Sequence, residues 1–168
     1  MVYINKNNQS CFKIVFFYVV CMRERTQELL NKLNDLKKNT LINIMQIQFI
    51  FLSNHLDTLI AKMPINSKIF QPFGFLHGGA TIILAESVGS SISFINIINE
   101  KKNNFKVFSI EISTNHIRSI KIKKGILFAK AKIFHKGNIL HFIQVHVSDE
   151  EKNIISFCKL TNIIIPKK

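Results

Sequence analysis

The chain has 168 residues, 47% of them hydrophobic, which suffices for one domain with a real core and is too short to expect two. Its formal charge of +13 suits nucleic acid, an anionic membrane or a phosphate-bearing small molecule equally well. The basic residues fall in short clusters (Lys121, Lys123, Lys124; Lys130, Lys132, Lys136) without a run of five, so each reads as a solvated face, and heavy use of Ile, Lys, Asn and Phe points to an AT-rich coding bias that discounts the total.

Cys11, Cys21 and Cys158 are odd in number and lack metal or redox spacing. A disulfide framework is thereby disfavoured and a reducing cytoplasm fits. The apolar run 14–22 is about half the ~20 residues that a bilayer span needs, and no small-residue cleavage site follows it. Residues 1–22 are therefore set apart as an N-terminal appendage, with Met22 an alternative start, and 23–168 are taken as the domain. Thr26, placed to cap free amides, opens a short amphipathic helix whose stripe is Leu29, Leu30, Leu33 and Leu36.

"NIMQIQFIFLS" and "TLIAKMPI", separated by "NHLD", predict a strand, a turn and a strand. From His77 to about Asn99 apolar residues occupy nearly all sides of a helix, with small Gly89, Ser90, Ser91 and Ser93 among them, as in a helix enclosed by a sheet. After Lys106, Phe108, Ile110 and Ile112 share one face of a strand and Ser109, Glu111 and Ser113 the other. "ILFAKAKIF", "ILHFIQVHV" and "IISFCKLTNII" follow, so the four strands read as an antiparallel meander. The class is α+β.

The chemistry concentrates in "QPFGFLHGGATIILAES". Its glycines turn the chain tightly before the long helix and leave the first amides uncovered at the positive helix end, suited to an anion or a developing oxyanion. Glu86 lies among Ile82, Ile83, Leu84, Ala85 and Val88 with no basic partner on the helix before Lys101, which makes it a candidate base or nucleophile. Gly78 and Glu86 are eight residues apart, about 12 Å along one helix at ~1.5 Å per residue. They cannot touch the same carbonyl. If both act on one group, a second chain must supply the Glu, which predicts a two-fold dimer with two shared sites.

"QPFGFLHGGATIILAESVGS", with "MPINSKIFQPFG" before it and "EISTNHIRS" after it, resembles the signature of the hotdog-fold acyl-CoA thioesterases. The likeness is greatest to the 1,4-dihydroxy-2-naphthoyl-CoA thioesterases of menaquinone synthesis and to aryl-carrier-protein proofreading relatives, and it runs from about Thr26 to Ile165. The resemblance implies a long helix wrapped by an antiparallel sheet and dimers paired into a homotetramer. It implies that Glu86 attacks the thioester or activates water while the Gly78 amide polarises the carbonyl from the opposite subunit. Gln71 and His77 would orient the thioester or the water, and Ser90 would support the aromatic group.

By the same resemblance coenzyme A, part of the substrate, is met by two segments. His116, Ile117, Arg118 and Ser119, with Ser109 seven residues earlier, form the first; His135, Lys136, Gly137 and Asn138 form the second. Ile139 stands where relatives carry an arginine, so Lys136 or the lysines at 121–124 are candidate substitutes for a phosphate partner. No metal, redox cofactor, nucleic acid or membrane span is implied. Alternatives are proofreading of misacylated aryl carrier protein and a non-catalytic acyl-CoA-binding module; a hotdog dehydratase would want its histidine and acid arranged differently.

Overall fold

A computed structural model describes residues 6–102, 104–121 and 124–167, with side chains from residue 21 onward. Lys123 lies outside the described residues, as do the side chains of Cys11 and of 14–20 in the apolar run. The order is α1 (Lys6–Asp35), α2 (Leu41–Ile44), β1 (Gln48–Leu52), β2 (Thr58–Ile65), α3 (Gly78–Asn99), β3 (Phe105–His116), β4 (Gly125–Lys136), β5 (Leu140–Ser148) and β6 (Ile154–Pro166), with one 3-10 turn at Ser67–Ile69.

The first helix is longer than its amphipathic stripe. Arg23, Glu24 and Arg25 all propagate a helix well, and neither glycine nor proline interrupts 6–35. Thr26 is consequently mid-helix rather than a cap, and its hydroxyl donates to the Arg23 carbonyl at 3.0 Å. Leu30 and Leu33 are buried, and Leu36 is 53% exposed. Asn34 reaches the free edge of β1, donating to the Phe49 carbonyl at 2.9 Å and accepting from its amide at 3.1 Å.

All six strands form one antiparallel sheet in the order β1-β2-β4-β5-β6-β3. The meander holds for β4, β5 and β6. The strand before it, β3, does not join β4 but pairs with β6 at the far edge. The crossover through α3 carries the chain from β2 past three strand positions, so β4 starts back beside β2 on the other side of the sheet from β3.

Strict alternation in β3 also fails, because a bulge lies between Ser109 and Glu111. The extra residue leaves Ile110 and Glu111 both exposed, so Phe108 and Ile110 face outward while Ile112 packs on the core. In β4 the pattern holds: Lys130 and Lys132 are exposed, and Leu127, Ala129 and Ala131 have no exposure.

The core lies between the sheet and α3, where Leu84, Val88 and Ile92 meet Leu59, Met63, Leu127 and Val145, all fully buried. Each such side chain contributes about 1.5–3 kcal/mol by leaving water. Gly89 lets the helix sit close: a Cβ there would stand 2.9 Å from Leu160 Cδ2. Although α3 is long and apolar enough to cross a membrane by composition, its inner face is buried against the sheet as a core helix.

Candidate active site

The start of α3 is built by a tight turn. Gly74 adopts φ 81, a left-handed conformation suited to glycine, and the Gln71 amide donates to the Phe75 carbonyl at 2.8 Å. The Gln71 side chain turns back on the loop, its Oε1 accepting from the Phe73 amide at 2.9 Å, which leaves its NH2 group to donate outward. His77 is the N-cap: its Nδ1 accepts from the Gly79 amide at 2.9 Å, so in the neutral ring Nε2 carries the proton. The Gly78 N–H has no acceptor among the described residues. This end of the helix therefore presents three kinds of donor: a free backbone amide, a carboxamide and an imidazole N–H.

His116, Arg118 and Ser119 arrive from the end of β3 and line the same cavity of about 440 Å³ as Gln71 and Gly78, as does Ile117. His116 stacks against the helix start so closely that a Cβ on Gly78 would stand 2.6 Å from its Nε2. Its Nδ1 lies 2.9 Å from Ser156 Oγ and 3.4 Å from Thr81 Oγ1.

Glu86 lies elsewhere. It lines a second cavity, of about 600 Å³, with Ser90 one turn along, Phe94, and Leu33, Leu36, Leu41 and Ile42 from the N-terminal helices. The apolar neighbours in sequence did not bury it: the sheet takes the opposite face of α3, and within the protomer Glu86 is exposed at an apolar cavity wall. Leu41 and Ile42 went unnoticed in the sequence because α2 is only four residues long.

The two segments assigned to coenzyme A are also far apart in one chain. His116 pairs in register with Ser156, whereas Ser109 pairs with Asn162, and the hairpin His135, Lys136, Gly137 and Asn138 sits at the end of β5 where Leu140 pairs with Ile163. From Leu140 to Val147 is about 23 Å at ~3.3 Å per residue. Lys136 is already engaged, its ammonium 3.0 Å from Glu100 Oε1 and donating to Asn96 Oδ1 at 3.3 Å. The Lys136 and Lys102 ammoniums hold the Glu100 carboxyl below the usual carboxylate range, with the bond to Lys102 the larger influence. His135 stacks obliquely on Phe142, centroids 5.8 Å apart. Gln71, His77, Gly78 and residues 116–119 thus form one group at the start of α3. Glu86, Ser90, Ser109 and residues 135–138 lie along its later turns.

A family model described as the thioesterase superfamily matches residues 73–156. The chain is 34% identical over 136 residues to the 1,4-dihydroxy-2-naphthoyl-CoA hydrolase of Escherichia coli, covering 81% of this chain and 94% of that protein. It is 29% identical over 109 residues to the protein of that name from Listeria monocytogenes, covering 65% and 83%. Among solved structures, a mutant of thioesterase PA1618 from Pseudomonas aeruginosa superposes with TM-score 0.73 at 30% identity, covering 82% of this chain and 94% of that one.

Proposed function

Because the chain belongs to the thioesterase superfamily and is a hydrolase with the hotdog fold, we propose that it hydrolyses an aromatic acyl-CoA thioester, with 1,4-dihydroxy-2-naphthoyl-CoA of menaquinone synthesis as the substrate. The E. coli and Listeria relatives named for that substrate support the choice. The observation that carries the reading is the Gly78 N–H, without an acceptor among the described residues, at the positive end of α3 beside Gln71 and His77 donors, with the carboxylate of the same helix turned into a different cavity.

One thioester is then held between two subunits. Its carbonyl oxygen sits at the Gly78 amide of one. Glu86 of the partner subunit, as base or nucleophile, drives addition to the carbonyl carbon. The C–S bond breaks as the carbonyl reforms, releasing the acid and the CoA thiol. Arg118 and Ser119 are offered to the CoA phosphates, with Ile117 between His116 and Arg118 spending its amide on the Ile155 carbonyl and the hairpin at 135–138 coming from the partner. The aromatic acyl group enters the Glu86 cavity against Phe94, Leu36 and Leu41, with Ser90 beside it.

The sheet edges support the dimer. At β1 the backbone groups of Phe49 are satisfied by Asn34, while the twelve-residue β3 is an edge strand paired, among the described residues, with β6 alone. A long open edge is a template for a second strand, and pairing two β3 strands antiparallel would bring the two α3 helices side by side. Phe108, Ile110, Phe134 and Phe142, all exposed on the outer face, support pairing of dimers into a tetramer. The free thiols Cys21 and Cys158 accord with a cytoplasmic setting.

The test is hydrolysis of a panel of acyl-CoAs by wild type and Glu86→Gln, read as released thiol, with mass in solution measured in parallel. Aromatic-selective turnover by a dimer or tetramer that collapses in the variant is expected. A well-folded wild type that hydrolyses no thioester would overturn the reading.

A further inference from the structure

Behind His116 runs a chain of hydroxyls that the proposed reaction has not used. Thr81 Oγ1 is 2.7 Å from the Gly78 carbonyl oxygen, Ser156 Oγ is 3.2 Å from Thr81 Oγ1, and His116 Nδ1 is 2.9 Å from Ser156 Oγ. Thr81 is 1% exposed and Ser156 not at all, so these protons go to protein partners.

The direction of the chain follows from its end. A carbonyl oxygen only accepts, so Thr81 gives its one proton to Gly78. Thr81 must then accept from Ser156, which uses the only proton Ser156 has. Ser156 can therefore only accept from the imidazole, and His116 Nδ1 must be protonated. The neutral ring is held as the Nδ1–H tautomer, and the nitrogen that takes up or gives a proton is Nε2, the atom set against Gly78. His77 differs: its Nδ1 is the acceptor for the cap amide.

Resting on the thioesterase reading above, we propose that His116 is a catalytic residue that delivers its Nε2 proton to the departing sulfur, and that Thr81 and Ser156 are positioning residues that fix which nitrogen does so. In this step the C–S bond breaks with its electron pair on sulfur, the S–H bond forms with the imidazolium proton, and His116 is left neutral with Nδ1 still bonded to Ser156. Nε2 of the neutral ring takes this proton from solvent before the step, and the proton lost by the attacking water resides on Glu86 of the partner subunit and is released to solvent, so the turnover balances. Arg118, two residues on in the same cavity, sets the CoA end of the substrate on this side, so the sulfur passes His116.

Two measurements decide it. Imidazole nitrogen NMR on the free wild-type protein, assigned with His116→Gln, is expected to show the neutral ring of His116 protonated at Nδ1. Ser156→Ala and Thr81→Val should shift it toward the Nε2–H form, and Thr81→Ser, which keeps the hydroxyl, should not. An Nε2–H ring in wild type would overturn the proposal. Kinetically, His116→Gln should lower kcat about 100-fold on benzoyl-CoA, whose alkanethiolate benefits from a proton, and less than about threefold on S-(4-nitrophenyl) thiobenzoate, whose thiolate leaves unaided. Ser156→Ala and Thr81→Val should show the same split at roughly 10-fold, with Thr81→Ser near wild type. Equal losses on both substrates would sink the proton-delivery role while leaving the thioesterase reading intact. Failure of wild type on both would sink that reading and this role together, with the tautomer still read by NMR.

Discussion

The two ends of α3 use polar groups in opposite ways. At the start, donors are left without partners among the described residues: the Gly78 amide, the Gln71 NH2 group and the His77 imidazole N–H. Toward the end, side-chain amide NH2 groups are tied inward. Asn96, 2% exposed, donates to the Leu56 and Ile92 carbonyls at 2.8 and 2.9 Å, and Asn162, fully buried, donates to the Gly89 carbonyl and to Ser93 at 3.0 and 2.9 Å. A buried polar group without a partner is costly, so the tied cluster holds the helix in place, while the untied one is tolerable because it is open to water or substrate.

If that division is right, changes at the start cost rate and changes at the end cost stability. The largest effect belongs to Glu86→Gln, which removes the carboxylate from an exposed position: kcat should fall by about 10²–10⁴ while the melting temperature is nearly unchanged. A melting temperature lowered by many degrees would break the comparison by making Glu86 structural. Gly78→Ala comes next. Its methyl would press on His116, 2.6 Å from Nε2, and crowd the oxyanion site, so kcat should drop roughly 10²-fold or more with a modest loss of stability.

The comparison sharpens with Asn96→Ala at the other end. The variant strands the Leu56 carbonyl, in a turn where Leu56 itself is held at φ 56, a left-handed conformation that costs a non-glycine residue energy. A loss of about 1–3 kcal/mol in chemical denaturation is expected, with kcat per folded molecule unchanged. A fall in kcat without loss of stability would place Asn96 in the site and erase the division.

Much of this was legible in residues. The glycine-rich turn, the helix start at about His77 and the spacing from Gly78 to Glu86 follow from helix geometry, which is local and periodic, whereas the capping role of His77 was not read. The strand segments were legible for the same reason, but the place of β3 at the far edge was not, because strand order is set by long-range pairing through the α3 crossover. Its bulge hid the outward face of Phe108 and Ile110, since one extra residue reverses an alternation. Within the candidate site, Thr81 and Ser156 escaped notice: each is one hydroxyl in an apolar stretch, and their link to His116 joins residues 35 to 75 positions apart. The one readable sign was that Ser156 is in phase with Cys158 and Leu160, which places a small polar residue on the inward face of β6.

The smallest effect concerns acid. His141, 2% exposed beside Asn162, has its Nδ1 without a partner among the described residues, and burial, aided by Lys136, lowers its pKa from 6.5. The unfolded chain therefore binds this proton more readily, and stability should begin to fall as pH drops through 6.5 toward the lower folded value. Glu100 behaves as the usual depressed carboxylate. Its contribution is present above the unfolded value of 4.5 and lost as pH falls through the lower folded one. The side chains of Glu100 and Lys136 are 33% and 45% exposed, so after solvent screening this tie contributes below about 1 kcal/mol. Salt separates the two: the Glu100 step should shrink at high ionic strength, and the His141 step, which comes mainly from desolvation, should persist. His141→Gln should remove the earlier step alone, and if both steps vanished with salt, the buried end of α3 would be held by exposed ion pairs rather than by its buried amides.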